Sequence, residues 1–233
     1  MAVRIDGSED ARFGKVLEIS KLVYPPVGDG YALPVPGDCS LCSRRFLNYQ
    51  QPLSPDINYR SHFLFIDRSP SRHDLEHGRH YASGNKVSHM FEEFLVVLGL
   101  ERQEISLSSA VYCNSLNHQP PVPGQVNICG QAWKSKELSN IECLKFIVLM
   151  GAFPVCQMLG WDYSLTRNYG ISYYVMKPHP IIILSLFAPG HLVIDSDNKD
   201  LAFRHMTYIR DHYVVPYRKA VADGIFNKDW LPF

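Results

Sequence analysis

The sequence predicts an α/β fold: a three-layer α/β/α domain around a central, mostly parallel four-stranded sheet. Two observations carry this. Near-continuous apolar runs alternate with segments of helical spacing, the pattern of strands covered by helices on both faces. The chain has 233 residues and 46% hydrophobic content, enough for one substantial core. One domain over residues 1–233 is expected, with 1–37 as an N-terminal lead-in.

The elements follow in order. Residues 1–23 are expected to contribute a short helix. Residues 24–37 are rich in Pro and Gly and lead irregularly into a cysteine pair. His62-Phe63-Leu64-Phe65-Ile66-Asp67 is a buried strand. Over 86–98, Val87, Met90, Phe91, Phe94, Leu95 and Leu98 recur at helical spacing, and Gly99 stops the helix. Residues 105–112 form the second strand and 130–140 a weaker helix. Leu144–Met150 is the third strand, closed by Gly151 and followed by a short helix over 152–159. Ile181–Phe187 is the fourth strand, and 197–213 the last long helix. In such sheets ligands bind beyond the carboxyl ends of the strands. That rule selects residues 67–81, 109–118, 151–154 and 188–193.

Net charge is zero, so no global field draws the chain to nucleic acid; any such contact needs a local patch. No stretch reaches the apolar length of a membrane span, and the first residues lack a signal-peptide core. A cytoplasmic monomer with no membrane partner is expected. Six cysteines in a chain this long do not form a secreted disulfide scaffold, and a reducing compartment with metal-bound thiolates fits better. Cys143 and Cys156 sit in apolar runs and are expected to be buried core thiols.

The other four cysteines are the chemical signal. Cys39 and Cys42 form a Cys-x-x-Cys; after a gap of 70 residues comes Cys113, and 15 residues separate it from Cys129. Four thiolates suit a [4Fe–4S] cluster or a structural zinc, and spacing alone does not separate the two.

Taken with the four strand ends, these cysteines resemble the uracil-DNA glycosylase superfamily, in particular its iron–sulfur branch, family four. The likeness covers roughly residues 35–213. In that branch a Cys-x-x-Cys precedes the first strand, a third cysteine follows the second strand and a fourth opens the next helix. The first motif, Gly-Glu-x-Pro-Gly, corresponds to Asp67-Arg68-Ser69-Pro70-Ser71. The family's Gly-Arg-Pro-Phe corresponds to Gly78-Arg79-His80-Tyr81. Leu98-Gly99-Leu100 ends the helix as in the family, and Met150-Gly151 matches its Leu-Gly turn. The final His-Pro-Ser becomes Ala188-Pro189-Gly190. The family's acidic residue in the first motif falls on Arg68, its uracil-reading asparagine on Ser109 and its catalytic histidine on Ala188. His179-Pro180 precedes the fourth strand and so lies at the wrong end of the sheet to replace it.

The resemblance implies a glycosylase-like fold, DNA as partner and a [4Fe–4S] cluster on Cys39, Cys42, Cys113 and Cys129, with zinc as the alternative. Excising a base demands an extruded nucleotide, a stacking platform, stabilisation of the departing anion and a positioned water. Tyr81 takes the stacking role. Asp67 orients water, with Asp74 as a second candidate, and His191 reaches the leaving base. Ser69, Pro70, Ser109 and Ala188 line the base site. Arg68, Arg72 and Arg79 contact phosphate. Pro189, Gly190 and Leu192 meet the DNA, Leu192 as an apolar wedge beside Val193. Histidines 73, 77 and 80 are rich enough in ligands for a metal, but phosphate contact is the simpler account. Small residues at 69, 109 and 188, with the uracil-reading amide gone, point to a bulky modified pyrimidine such as those of phage DNA. The alternatives are a catalytically inactive DNA- or nucleotide-binding protein and a conventional uracil-DNA glycosylase.

Overall fold

Phe63-Leu64-Phe65-Ile66-Asp67, Phe146–Met150 and Ile181–Leu186 carry apolar side chains on both faces, and Ile105–Ser109, apolar on one face and serine-lined on the other, is buried throughout, so each strand must be covered above and below. The computed structural model describes residues 13–23, 39, 42, 52–114, 119–176, 179–227 and 229–232. The sheet holds six strands: β1 (Val16–Glu18), β2 (Phe63–Asp67), β3 (Ile105–Ser109), β4 (Phe146–Met150), β5 (Ser172–Val175) and β6 (Ile181–Leu186). Their order is β1-β5-β6-β4-β2-β3. β6, β4, β2 and β3 run parallel; β5 is antiparallel to β6, and β1 parallel to β5.

Two strands therefore join the expected four. β5 is only four residues long and β1 only three, mostly exposed at the sheet edge, so neither leaves a lasting apolar run. Of the expected N-terminal helix, residues 13–23 carry β1 instead. The rest of the 1–37 lead-in lies outside the described residues.

The helices are α1 (Arg72–His77), α2 (Lys86–Leu98), α3 (Pro123–Cys129), α4 (Ser135–Ser139), α5 (Ala152–Leu159), α6 (Leu165–Asn168), α7 (Pro189–Ile194), α8 (Lys199–Ile209) and α9 (Val215–Ala222). π-helical turns at Gly130–Lys134 and Arg210–Val214 join α3 to α4 and α8 to α9. The helix expected over 130–140 thus starts earlier, where Pro123 sits in the first turn and needs no amide donor. The last helix runs on to Ala222. α2 begins where the Asn85 side chain accepts from the Val87 and Ser88 amides, and ends at Gly99 in the left-handed region, φ 70°.

Pairing register assigns the faces. Asp67 pairs with Ser109 and Ile66 with Ser108, so Asp67 and Ser109 share one face and Ser108 points to the other. On the first face Phe65 meets Phe91 of α2 edge-on at 5.9 Å. On the other, Lys134 donates to the Ser108 hydroxyl at 2.8 Å. Helices therefore cover both sides, as a three-layer sandwich requires. Cys143, expected in the core, is exposed, and Cys156 is half-buried, because both fall just outside the strand and helix faces that pack inward.

Candidate functional site

The carboxyl ends of β2, β3, β4 and β6 open onto one rim. Ala110 N–H donates to the Asp67 carbonyl at 2.7 Å, and Gly151 N–H to the Leu186 carbonyl at 2.8 Å. These bonds fix the loops that leave the strands. Gly151 has φ 96°, and a Cβ there would lie 3.3 Å from the Ala188 Cβ, so the β4 and β6 ends meet closely.

Asp67 ends β2 and accepts a 2.7 Å hydrogen bond from the Tyr81 hydroxyl. Burial pushes the Asp67 carboxyl above its ordinary range, opposed by the Tyr81 hydroxyl, the Arg68 amide and the Arg68 charge. Burial, then the Asp67 charge, push the Tyr81 phenol well above its ordinary value. The Tyr81 ring stacks on Phe91 with centroids 4.1 Å apart. Ser109, fully buried beside Asp67 on the same face, has a hydroxyl with no hydrogen-bond partner among the described residues.

Asp74 is committed elsewhere. One carboxylate oxygen accepts from the Ser71 amide and hydroxyl at 2.8 and 2.7 Å; the other accepts from the Ala82 amide at 3.0 Å. It completes the capping box of α1 and anchors the chain after Tyr81.

Ala188 is the N-cap of α7, with Pro189 next to it, and Gly190 approaches Val87 at the start of α2. His191 is half-exposed; its Nε2 lies 3.6 Å from an Asp195 oxygen, and its ring leans on Phe187. Leu192 is 2% exposed and packs in the core, so it does not present an apolar wedge to DNA. A helix rather than a loop forms here, and its inner face takes Leu192. Ile194, at 88% exposure, is the apolar side chain that projects from α7. Ser69 is half-buried and Pro70 buried. Arg68, Arg72 and Arg79 are exposed at the same end, with Arg72 paired to Glu76 across one helical turn at 2.9 Å. His179 bonds the Leu144 carbonyl at the amino end of the sheet.

The four cysteines converge. Cys39, Cys42, Cys113 and Cys129 line one cavity of about 380 Å³, counting its open mouth, together with Tyr112 and Trp133. None of the four is joined in a disulfide among the described residues. Burial pushes the Cys129 thiol up to about 12, and the neighbouring Cys39 and Cys113 add to the effect. Among the described residues no group of three or more His, Cys, Asp or Glu side chains is gathered so as to hold a single metal ion, the histidines at 73, 77 and 80 included.

Behind the cavity lies a buried polar network that the sequence did not announce. The Lys134 ammonium donates to the Ser108 hydroxyl, the Ser109 carbonyl at 3.0 Å, the Tyr112 hydroxyl at 3.3 Å and the Glu137 carboxylate at 3.1 Å. Tyr112 also donates to Glu137. Lys134 and Glu137 are both fully buried.

A family model for the Uracil DNA glycosylase superfamily matches residues 54–206. The chain belongs to this superfamily. It is also similar to a type-4 uracil-DNA glycosylase of Sulfurisphaera tokodaii, 22% identical over 180 residues, which covers 73% of this chain and 80% of the relative. Asp56 and Arg102, which bond the His80 backbone, and Lys134 and Glu137 of the buried network are the residues that sequence reasoning missed. Their partners are distant in sequence, and no local motif marks them.

Proposed function

We propose that this superfamily member is a DNA glycosylase that hydrolyses the N-glycosidic bond of a flipped, bulky modified pyrimidine, leaving an abasic site. The observation that carries this reading is the Asp67 carboxylate, held at the end of β2 by the Tyr81 hydroxyl and paired in register with the small residue Ser109, on the rim where Ala188 meets Gly151. The base leaves as an anion while the sugar gains positive charge. Asp67 stabilises that charge and orients the attacking water. His191, half-exposed on α7, faces the departing base, and Arg68 and Arg79 hold phosphates. Ile194 takes the wedge position expected of Leu192.

A site that reads one base edge loses discrimination when its hydrogen-bonding partner is removed. Ser109 in place of an amide and Ala188 in place of a histidine therefore favour a substrate larger than uracil. Phage DNA with hypermodified cytosine is a setting where such a site serves bacterial defence.

Four cysteines around one cavity, none in a disulfide, fit a [4Fe–4S] cluster better than zinc. Zinc needs its sulfurs about 2.3 Å from a single point, whereas a cubane spreads them around a volume. When bound, the cluster supplies a structural tie between Cys39 and Cys42 and the α3 region. A brown, iron-containing protein with visible absorption is expected; a colourless protein with stoichiometric zinc after anaerobic purification refutes the cluster.

The decisive experiment incubates the protein with hypermodified-cytosine DNA and with uracil DNA, then cleaves abasic sites with alkali. Strand breaks on the modified DNA, lost in Asp67→Asn by roughly 10²–10⁴-fold, support the proposal. Efficient release of uracil alone refutes the substrate class. A second reading, a binding protein that kept the fold and lost catalysis, is favoured by Arg68 and Ala188 standing where the family has an acid and a histidine. It predicts DNA retention with no alkali-labile sites.

A further inference from the structure

Tyr81 is the one non-glycine residue with positive φ, at 47°, among the described residues. A tyrosine resists that backbone, so surrounding groups must hold it. They do so on both sides. The His80 amide donates to an Asp56 oxygen at 3.2 Å, and the His80 carbonyl accepts from the Arg102 guanidinium. The Ala82 amide donates to Asp74 at 3.0 Å. Arg102 also lies over the Phe91 ring, 5.5 Å from its centroid, and Phe91 stacks on Tyr81 within 11° of parallel. Two carboxylates, one guanidinium and one aromatic ring thus clamp a single strained residue.

The result of the clamp is a 2.7 Å bond from the phenol to Asp67. Stacking alone does not need it. The family pattern has phenylalanine at this place, and a phenylalanine ring would make the same stack on Phe91. The hydroxyl is what this chain adds.

We propose that Tyr81 is a positioning residue: its phenolic hydroxyl fixes the Asp67 carboxylate in one orientation, while its ring forms the stacking wall. This rests on the reading of Asp67 as the water-orienting group. The charged and titratable groups that face Asp67 are Tyr81, Arg68 and Asp74, and those that face Tyr81 also include Arg102. Removing the phenol deletes a donor that favours the ionised carboxylate, so the Asp67 carboxyl must titrate at higher pH.

The test compares wild type, Tyr81→Phe and a protein with 3-fluorotyrosine at position 81. Fluorination makes the phenol a stronger donor and keeps ring and fold. Two readouts are taken. One is the Asp67 carboxyl titration by carbon NMR without DNA. The other is the pH profile of kcat for excision from hypermodified-cytosine DNA. The expected result is an Asp67 midpoint and acid limb that move up in Tyr81→Phe and down with fluorotyrosine. At neutral pH kcat falls roughly tenfold in Tyr81→Phe with KM little changed, the size of one lost hydrogen bond. An Asp67 midpoint unmoved in both variants overturns the inference, and so does an unmoved acid limb. Excision that is lost in Asp67→Asn but indifferent to both Tyr81 variants defeats the positioning role alone. Excision that survives Asp67→Asn defeats the reading of Asp67 beneath it.

Discussion

His205 offers the sharpest test of how the site is supported. It is 1% exposed, and one ring nitrogen has no hydrogen-bond partner. It sits in a column of rings: Phe13 stacks on it at 4.7 Å, Tyr169 meets it edge-on at 4.8 Å, and Phe187 stacks on Tyr169 at 4.3 Å. Phe187 in turn carries His191. Burial pushes the His205 pKa from 6.5 down to about 3. The native state therefore holds a neutral imidazole where the unfolded chain takes up a proton below 6.5. The titration costs no stability above pH 6.5, and the penalty grows as pH falls from there towards 3. The slope is about 1.4 kcal/mol per pH unit, so by pH 5 His205 alone removes about 2 kcal/mol. His205→Phe keeps the stacked ring and abolishes the titration. Urea unfolding of both proteins at pH 7.5 and pH 5 measures the difference directly. Wild type should lose about 2 kcal/mol more than the variant over that interval. His62 and His80, also lowered by burial, titrate in both proteins and cancel in the comparison. Equal losses in the two proteins would show that His205 is protonated in the native state and refute the argument.

The buried pair makes a second prediction: Lys134→Met strands the Glu137 charge and should cost about 3–5 kcal/mol by denaturation, while Lys134→Met with Glu137→Leu should recover most of it. Cys39→Ser should lower iron content and visible absorption and reduce thermal stability, and a variant with full iron would remove Cys39 from the ligand set. Ser109→Asn returns an amide to a fully buried position; uracil excision should rise at least tenfold in ratio to the modified base, with overpacking costing about 1–3 kcal/mol. Ile194→Glu should weaken duplex DNA binding in a gel-shift titration without changing the melting temperature, because the side chain makes no core contact at 88% exposure.

The long apolar strands and α2 were legible because their signals are local. Phe63–Asp67, Phe146–Met150 and Ile181–Leu186 are buried nearly throughout, and burial on both faces is written as an unbroken apolar run. Asn85 and Gly99 bracket α2 with ordinary capping chemistry. The ordered spacing of the cysteines and strand-end motifs was likewise enough to place the chain in its superfamily. The edge strand β1 and its neighbour β5 were not legible, since three mostly exposed residues and four residues beyond a turn carry too little pattern to outweigh the turns around them.

Side-chain roles at the rim needed the tertiary structure. Asp67 at the end of β2 and Asp74 in α1 are both acids of the first strand-end segment, and residue type alone ranked them without showing their partners. Folding satisfies Asp74 with three donors and leaves Asp67 to Tyr81. Leu192 and Ile194 are both apolar residues of one short segment; helical rotation sends one inward and the other outward. The clamp on Tyr81 joins Arg102 to Asp56, 46 residues away, and Lys134 finds Ser108 26 residues away. Residue type and local period decide whether a segment is buried. Which polar atom meets which is settled only when distant segments are packed together, because a buried donor or acceptor takes whatever partner the fold brings within reach.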